Sequence, residues 1–203
     1  KLRMRALLLV FKTVRAPEII KHTPKQKPVP VPRRAPNPVL DWSSTTCLQT
    51  AMIIKPGDFD DPQIRELLRQ HLQGMAETSP PGHSFALDLS GLQRPDVTFL
   101  SVWAGGTLLA IGAIKQLTPD HGELKSMRTR KDSLRRGAAT AMLNALLDLA
   151  RARGYRRVSL ETGSGEAFEP ALALYRKHGF RSGDAFADYI GSAFNQFFHL
   201  DLA

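Results

Sequence analysis

Apolar and polar positions follow two periods along this chain, one typical of helices and one typical of strands. Apolar residues recur every three or four positions across residues 142–150, the spacing of one helix face. Similar spacing predicts helices over residues 62–72 and 168–178. Short apolar runs between turn residues predict strands near residues 53–54, 97–102, 108–114, 157–162 and 194–202, and residues 123–130 are a polar, basic strand candidate. The order β-α-β-β-β-α-β-α-β predicts a single α/β domain with a mixed sheet.

Charge is distributed unevenly between two parts of the chain. The 203 residues carry a formal net charge of +9. Residues 1–51 hold ten basic and two acidic residues, a charge of +8, whereas residues 52–203 hold eighteen and seventeen, a charge of +1. Residues 23–37 contain five prolines, which favour extended backbone. We therefore predict a basic, proline-rich extension over residues 1–51, disordered or a non-native leader, and a folded domain over residues 52–203.

This distribution narrows the classes of function. A nearly neutral domain argues against a nucleic-acid-binding face on residues 52–203. One cysteine, Cys47, excludes an internal disulfide and indicates a reducing cytoplasm. No apolar run reaches the roughly 18–20 residues needed to span a membrane, and no Cys/His cluster predicts a metal site. An adaptor whose basic extension binds RNA or membrane stays open as an alternative.

The start of the long predicted helix combines two arginines with small residues. It reads Leu134-Arg135-Arg136-Gly137-Ala138-Ala139-Thr140. The first N–H groups of a helix have no partner inside it, and the helix dipole places partial positive charge there. Small side chains let an anion approach this backbone closely. The segment therefore predicts a site for a phosphorylated ligand; alternatively, the small residues serve packing and the arginines form a solvated face.

Two segments together resemble the GNAT N-acetyltransferase superfamily. Residues 134–139 resemble its acetyl-coenzyme A loop, Arg/Gln-x-x-Gly-x-Gly/Ala, in which Gly137 and Ala139 match while Leu134 takes the Arg/Gln position. Residues 171–180, ALALYRKHGF, resemble its second motif, a tyrosine in a helix followed by Gly-Phe. The similarity covers roughly residues 52–202. It implies a single domain with a central mixed, largely antiparallel sheet flanked by helices.

The resemblance also implies acetyl-coenzyme A as co-substrate. Residues 127–129 would end the strand that pairs with the pantetheine amides, and the backbone N–H groups of residues 136–140 would hold the pyrophosphate. The side chains of Arg135 and Arg136 would pair with phosphate oxygens. The predicted cofactor-binding residues are Met127, Arg128, Thr129, Leu134, Arg135, Arg136, Gly137, Ala138, Ala139 and Thr140.

Three side chains are candidates for proton transfer. Acetyl transfer to an amine needs the unprotonated amine, and the departing thiolate can take up a proton. The resemblance places Tyr175 near the coenzyme sulfur as the proton donor. Alternatively, Tyr175 is an ordinary aromatic residue that packs on the sheet. Glu123, early in its strand, is one candidate base, and Glu161, near the end of the next strand, is its rival. Water can also carry the proton away.

The implied function is transfer of an acetyl group from acetyl-coenzyme A to a primary amine of a small molecule or amino acid. We expect direct transfer with both substrates bound and without a metal, in the cytoplasm. Turn residues predict a long polar loop over residues 76–96. This loop and residues 181–195 are expected to wall the acceptor pocket. A homodimer is left open, as is a related protein that binds coenzyme A without turnover.

Overall fold

A computed structural model describes residues 51–80 and 85–202. Within these residues the chain forms strands β1 Ile53–Pro56, β2 Val97–Ala104, β3 Thr107–Thr118, β4 His121–Thr129, β5 Arg157–Gly163, β6 Arg181–Gly183 and β7 Asn195–Asp201. The α-helices are α1 Pro62–Thr78, α2 Leu89–Leu92, α3 Ala138–Ala152 and α4 Glu169–Lys177. Short 3-10 turns at Lys131–Ser133 and Glu166–Phe168 precede α3 and α4. The predicted strands and helices are present in the predicted order, and the structure adds the short elements α2 and β6.

The strands form one sheet in the order β1-β2-β3-β4-β5-β7-β6. Every neighbouring pair is antiparallel except β4 and β5, which run parallel. Parallel strands need a long crossover, and α3 supplies it between β4 and β5. The predicted mixed, largely antiparallel sheet is therefore confirmed.

The two parallel strands separate soon after they begin. They pair only where residues 121–123 face residues 157–159, although β4 continues to Thr129 and β5 to Gly163. Within β4, Ser126 has a positive φ of 53°, close to a shift of the β4 register against β3. A residue in this region bends the strand and interrupts its ladder. We call the opening beyond Glu123 and Ser159 the β4–β5 cleft.

Helices α3 and α1 cover opposite faces of the sheet. The apolar side chains predicted for α3, including Met142 and Leu146, are fully buried against one set of strand residues. Ile64 and Leu67 of α1 pack with a second set. In β3, Ala113 packs in the second set and the next residue, Ile114, in the first, because successive side chains of a strand point to opposite faces. Two apolar helix faces on one sheet give the domain its core.

The region predicted as a long loop, residues 76–96, is partly helical. α1 continues to Thr78, and α2 forms where the Asp88 carboxylate accepts a hydrogen bond from the Gly91 N–H at 2.8 Å. This cap satisfies a helix-start donor, and Leu92 is buried beneath it. Residues 81–84, residues 1–50 of the predicted extension and Cys47 lie outside the described residues.

Of the helices in residues 51–80 and 85–202, none is both long and apolar enough to cross a bilayer. The longest, α1, has a polar face as well as the buried one, as expected for a helix that lies on a sheet.

Candidate active site

The start of α3 leaves backbone donors open. Gly137 precedes the helix with φ 85°, a left-handed conformation that glycine adopts without a Cβ penalty, and it offers no side-chain cap. The first backbone bond of the helix runs from the Ala141 N–H to the Gly137 carbonyl at 2.9 Å. The N–H groups of residues 138–140 therefore lack a partner within the described residues. A Cβ built at Gly137 would meet nothing within 4 Å, so the space beside these donors is open.

The side chains around this loop divide into two groups. Arg135 and Arg136 are exposed, and neither forms an ion pair within the described part of the chain. Leu134 is exposed as well. Ala138, by contrast, is buried in the core and can offer a ligand only its backbone N–H. The loop thus presents two guanidinium groups and several backbone N–H donors, and together these groups can bind a phosphate.

A cavity of about 350 Å³ occupies the β4–β5 cleft. Its walls come from α1, from β4 and β5, and from α4, with Phe85 and Ala86 on one side. The polar and candidate residues that line it are His71, Glu77, Thr78, Lys125, Ser126, Met127, Arg128, Glu161, Thr162 and Tyr175. The structure therefore brings four predicted site residues, Met127, Arg128, Glu161 and Tyr175, to one space. Glu123 is not among its lining residues.

Tyr175 is both a core residue and part of the cavity wall. Only 6% of the residue is exposed, and its ring packs edge-on to Phe180 with centroids 5.7 Å apart. Its hydroxyl has no hydrogen-bond partner among the described residues. Burial raises the pKa of the Tyr175 hydroxyl above its usual value. The hydroxyl therefore stays protonated near neutral pH and can act as a donor.

Glu161 has the properties expected of a proton acceptor. It is half-buried, and burial raises the pKa of its carboxyl to about 7; the nearby Glu123 also raises it, while Lys125 opposes the shift. No ion pair holds the Glu161 carboxylate within the described residues. A carboxyl with a pKa near the working pH can take up and release protons efficiently.

Glu123 lies in a different environment, although it is also on the cleft strands. It is 2% exposed, accepts a hydrogen bond from the Tyr189 hydroxyl, and forms an ion pair with Lys125 at 3.2 Å. The Lys125 ammonium also donates to the Tyr189 hydroxyl at 2.7 Å. Burial, followed by the Glu123 charge, raises the pKa of Tyr189. This closed network binds the Glu123 carboxylate to protein groups.

Sequence reasoning missed several residues at this site. The sequence pattern assigns no role to His71, which is 7% exposed and lines the cavity. Burial lowers its pKa to about 4, with the charges of Arg128 and Lys125 adding, so the ring is neutral at pH 7. The ring of Tyr189 packs edge-on to the ring of Phe85, with centroids 5.1 Å apart. Tyr189 lies in neither of the two sequence motifs. Only its position within 181–195, a segment expected to wall the acceptor pocket, pointed toward it.

The described residues contain no group of three or more His, Cys, Asp or Glu placed to hold a metal ion. The cavity wall brings together the Glu161 carboxyl, the Tyr175 hydroxyl and the basic side chains of Lys125 and Arg128. Such a set can deprotonate one group and protonate another within a single cavity.

The chain matches known acetyltransferases over most of its length. Residues 62–180 match the model of the Acetyltransferase (GNAT) family. The chain is 46% identical over 149 residues to the uncharacterized N-acetyltransferase YedL of Escherichia coli (strain K12), covering 73% of this chain and 94% of that protein. It is also 46% identical over 138 residues to the uncharacterized N-acetyltransferase YsnE of Bacillus subtilis (strain 168), covering 68% and 91%.

A solved structure shows the same fold. The Bacillus subtilis acetyltransferase in complex with CoA superposes with a TM-score of 0.56 at 17% identity, over 75% of this chain and 100% of that one. At this identity the likeness concerns the fold. It agrees with the fold that the two sequence motifs implied.

Proposed function

Because the chain belongs to the Acetyltransferase (GNAT) family and is an N-acetyltransferase, we propose that it transfers an acetyl group from acetyl-coenzyme A directly to a primary amine. The acceptor is a small molecule or amino acid, and both substrates are bound at once. The observation that carries this proposal is the cleft cavity, which Glu161 and Tyr175 line together. Acetyl-coenzyme A supplies the acetyl group as a thioester.

Two parts of the backbone fit this co-substrate. The open N–H groups at the start of α3, with Arg135 and Arg136, would hold its pyrophosphate. Beyond Glu123, the edge of β4 that faces β5 has no strand partner among residues 51–80 and 85–202. Unpaired backbone donors and acceptors along an edge can pair with amide groups, so residues 127–129 would align the pantetheine arm. Both contacts use backbone atoms, which explains why Leu134 need not match the family pattern.

Glu161 is the proposed base. A primary amine is protonated near neutral pH and must lose a proton before it can attack. The carboxyl of Glu161, with a pKa of about 7, lines the cavity and can take that proton. The carboxylate of Glu123 is occupied by Tyr189 and Lys125, so we assign it a positioning role.

Tyr175 is the proposed donor to the departing sulfur. Its buried hydroxyl keeps its proton at neutral pH and lies on the same cavity. Overall, the C–S bond breaks as the C–N bond forms. The ammonium ion and the thioester become the N-acetyl amide, the free thiol and one proton, which Glu161 passes to solvent.

The test is release of free thiol from acetyl-coenzyme A by the full chain, across a panel of amines, amino acids and short peptides. We expect at least one class of small amine to give amine-dependent release. Coenzyme A binding without release for any amine would instead favour a binding protein without turnover. Binding of RNA or vesicles that is lost on deleting residues 1–51, again without release, would favour the adaptor.

Gly137→Glu tests the co-substrate site. The variant places bulk and negative charge beside the open donors of α3. Each lost charge-assisted hydrogen bond is worth roughly 1.5–3 kcal/mol, so we expect coenzyme A to bind at least ~10³-fold more weakly by calorimetry. Gly137→Ala is the control, since it carries the same left-handed backbone strain without the charge. Wild-type affinity in a folded Gly137→Glu protein would rule out this site.

A further inference from the structure

Arg128 contributes an unpaired cation to the cleft cavity. It is half-buried and lines the cavity, and its guanidinium forms no ion pair within the described residues. The guanidinium lies against α1, because a Cβ built at Gly74 would be 3.6 Å from both terminal nitrogens of Arg128. The other cation of the cavity, Lys125, is already bonded to Glu123 and Tyr189. A partly desolvated guanidinium without a counter-charge is suited to bind an anion.

Two residues of the cavity wall contain buried polar atoms. His71 and Ser126 line the cavity, and each residue is 7% exposed. Within the described residues, the His71 Nδ1 and the Ser126 Oγ have no hydrogen-bond partner. The wall beside Arg128 therefore contains polar groups, but it contains no carboxylate that pairs with the guanidinium.

The two glutamates that line the cavity do not form ion pairs with Arg128, so its guanidinium can bind an anion. Glu161, on the β5 wall, has a carboxyl pKa of about 7 and forms no ion pair with Arg128. Glu77 lies at the rim, is exposed, and accepts a hydrogen bond from the Gln73 amide at 2.8 Å. The cavity therefore has the Glu161 carboxyl on β5 and the Arg128 guanidinium between β4 and α1.

We propose that the acceptor amine carries a carboxylate and that the Arg128 guanidinium binds it. The acceptor class is thus the amino acids and related amino carboxylates, with the carboxylate at Arg128 and the amine toward Glu161, since both residues line the cavity. Arginine offers paired N–H donors that match the two oxygens of a carboxylate. The carboxylate does not react, and the backbone of Arg128 keeps its proposed contact with the co-substrate. This inference rests on the proposed acetyl transfer.

Matched acceptors test the proposal. Thiol release from acetyl-coenzyme A is measured with the twenty common amino acids and with their neutral amides, which keep the amine and the side chain. We expect kcat/KM to be about 10²-fold higher for the acid than for the amide of the best substrate, since losing one partner of a desolvated charge pair has this effect. Equal values, or a preference for the amides, would overturn the proposal.

The Arg128→Gln variant assigns the effect to one side chain. We expect it to lower the ratio of kcat/KM for the acids to kcat/KM for the matching amides about 10²-fold, because the amides lack the carboxylate that the guanidinium would bind. Arg69→Gln is the control, because Arg69 is exposed on α1, pairs with Glu66 at 2.7 Å and does not line the cavity. An equal loss for acids and amides in Arg128→Gln would overturn the proposal.

A binding experiment separates this inference from the proposed function. Calorimetry is performed on the protein saturated with coenzyme A, using N-acetyl amino acids and their amides as probes. If no amine gives turnover, the proposed function fails, and this experiment still decides on the carboxylate site. Binding of the acids that is lost in Arg128→Gln supports the site, whereas equal binding of acids and amides, or no binding of either, overturns it.

Discussion

In the paired half of β4 and β5, buried polar side chains are bonded to one another. The Ser159 hydroxyl lies 2.7 Å from the Nε2 of His121 and 2.7 Å from the Nδ1 of His199. In the separated half, the Nδ1 of His71 and the Oγ of Ser126 are buried without a partner in the described part of the chain. Polar groups are therefore hydrogen-bonded to one another where β4 and β5 pair, whereas two polar groups lack a partner among the described residues where the strands separate.

The two glutamates of these strands show what this difference does. Glu123 ends the paired half and is bonded to Tyr189 and Lys125. Glu161 lies two residues beyond the last paired residue of β5, and burial without an ion pair raises its pKa to about 7. The two carboxyls thus differ in environment, because Glu123 has fixed partners and Glu161 faces a cavity. Chemistry is expected where the strands separate.

The largest expected effect is on the rate of acetyl transfer in Glu161→Gln. Removing a positioned base lowers turnover about 10²–10⁴-fold, so we expect a loss near 10³-fold at pH 7.5 with a good acceptor. In the wild type, the rate should rise with pH through about 7 as the Glu161 carboxyl loses its proton, and the variant should lack this step. Glu123→Gln is the matched control and should lose less than tenfold. The reverse order of the two variants would show that Glu123 is the base.

Tyr175→Phe is expected to have the next largest effect. The ring still fills its place beside Phe180, while the proton donor is lost, so turnover should fall about 10²-fold with coenzyme A affinity and melting temperature nearly unchanged. The loss stays at the low end of the range because water can protonate a thiolate whose pKa is roughly 8–9. Full turnover at saturating substrates would remove Tyr175 from the mechanism and leave a packed aromatic.

Substitutions in the network of Glu123, Lys125 and Tyr189 should change mainly the free energy of unfolding. Glu123→Gln leaves the Lys125 ammonium, 8% exposed, without its counter-charge. Breaking one partner of a buried ion pair costs about 3 kcal/mol, which urea unfolding would measure. Adding Lys125→Met should recover part of this loss, because the unpaired charge is then removed. A Glu123→Gln protein as stable as wild type would show that the network contributes no stability.

The smallest expected effect is the pH dependence of stability at Glu161. Its folded-state pKa is raised, so its protonated form favours folding; this contribution is complete below about pH 4.5 and is lost as pH rises through about 7. Glu161→Gln cannot ionise, so it should be more stable than wild type by ~1 kcal/mol at pH 8, a value reduced for partial solvent exposure, and equal at pH 4.5. An equal difference at both pH values would contradict the raised pKa.

Much of the fold and part of the candidate site could be predicted from local sequence. The apolar spacing of α3, the glycine before it and the second motif around Tyr175 each lie within about ten consecutive residues. Hydrophobic periodicity and backbone conformation are local properties, so short windows predict them. The long loop over residues 76–96 was predicted incompletely, because the cap by Asp88 and the burial of Leu92 stabilise a four-residue helix that has no periodicity.

The sequence by itself determined the order of the elements, the basic small-residue turn before α3 and the family that two motifs indicate. Only the tertiary structure decided which glutamate faces the cavity, because Tyr189, which engages Glu123, is 66 residues away. It also decided that His71 is neutral and that the side chain of Arg128 lies unpaired at α1. Protonation depends on burial and on charges brought together by folding, and neither is encoded in the spacing of neighbouring residues.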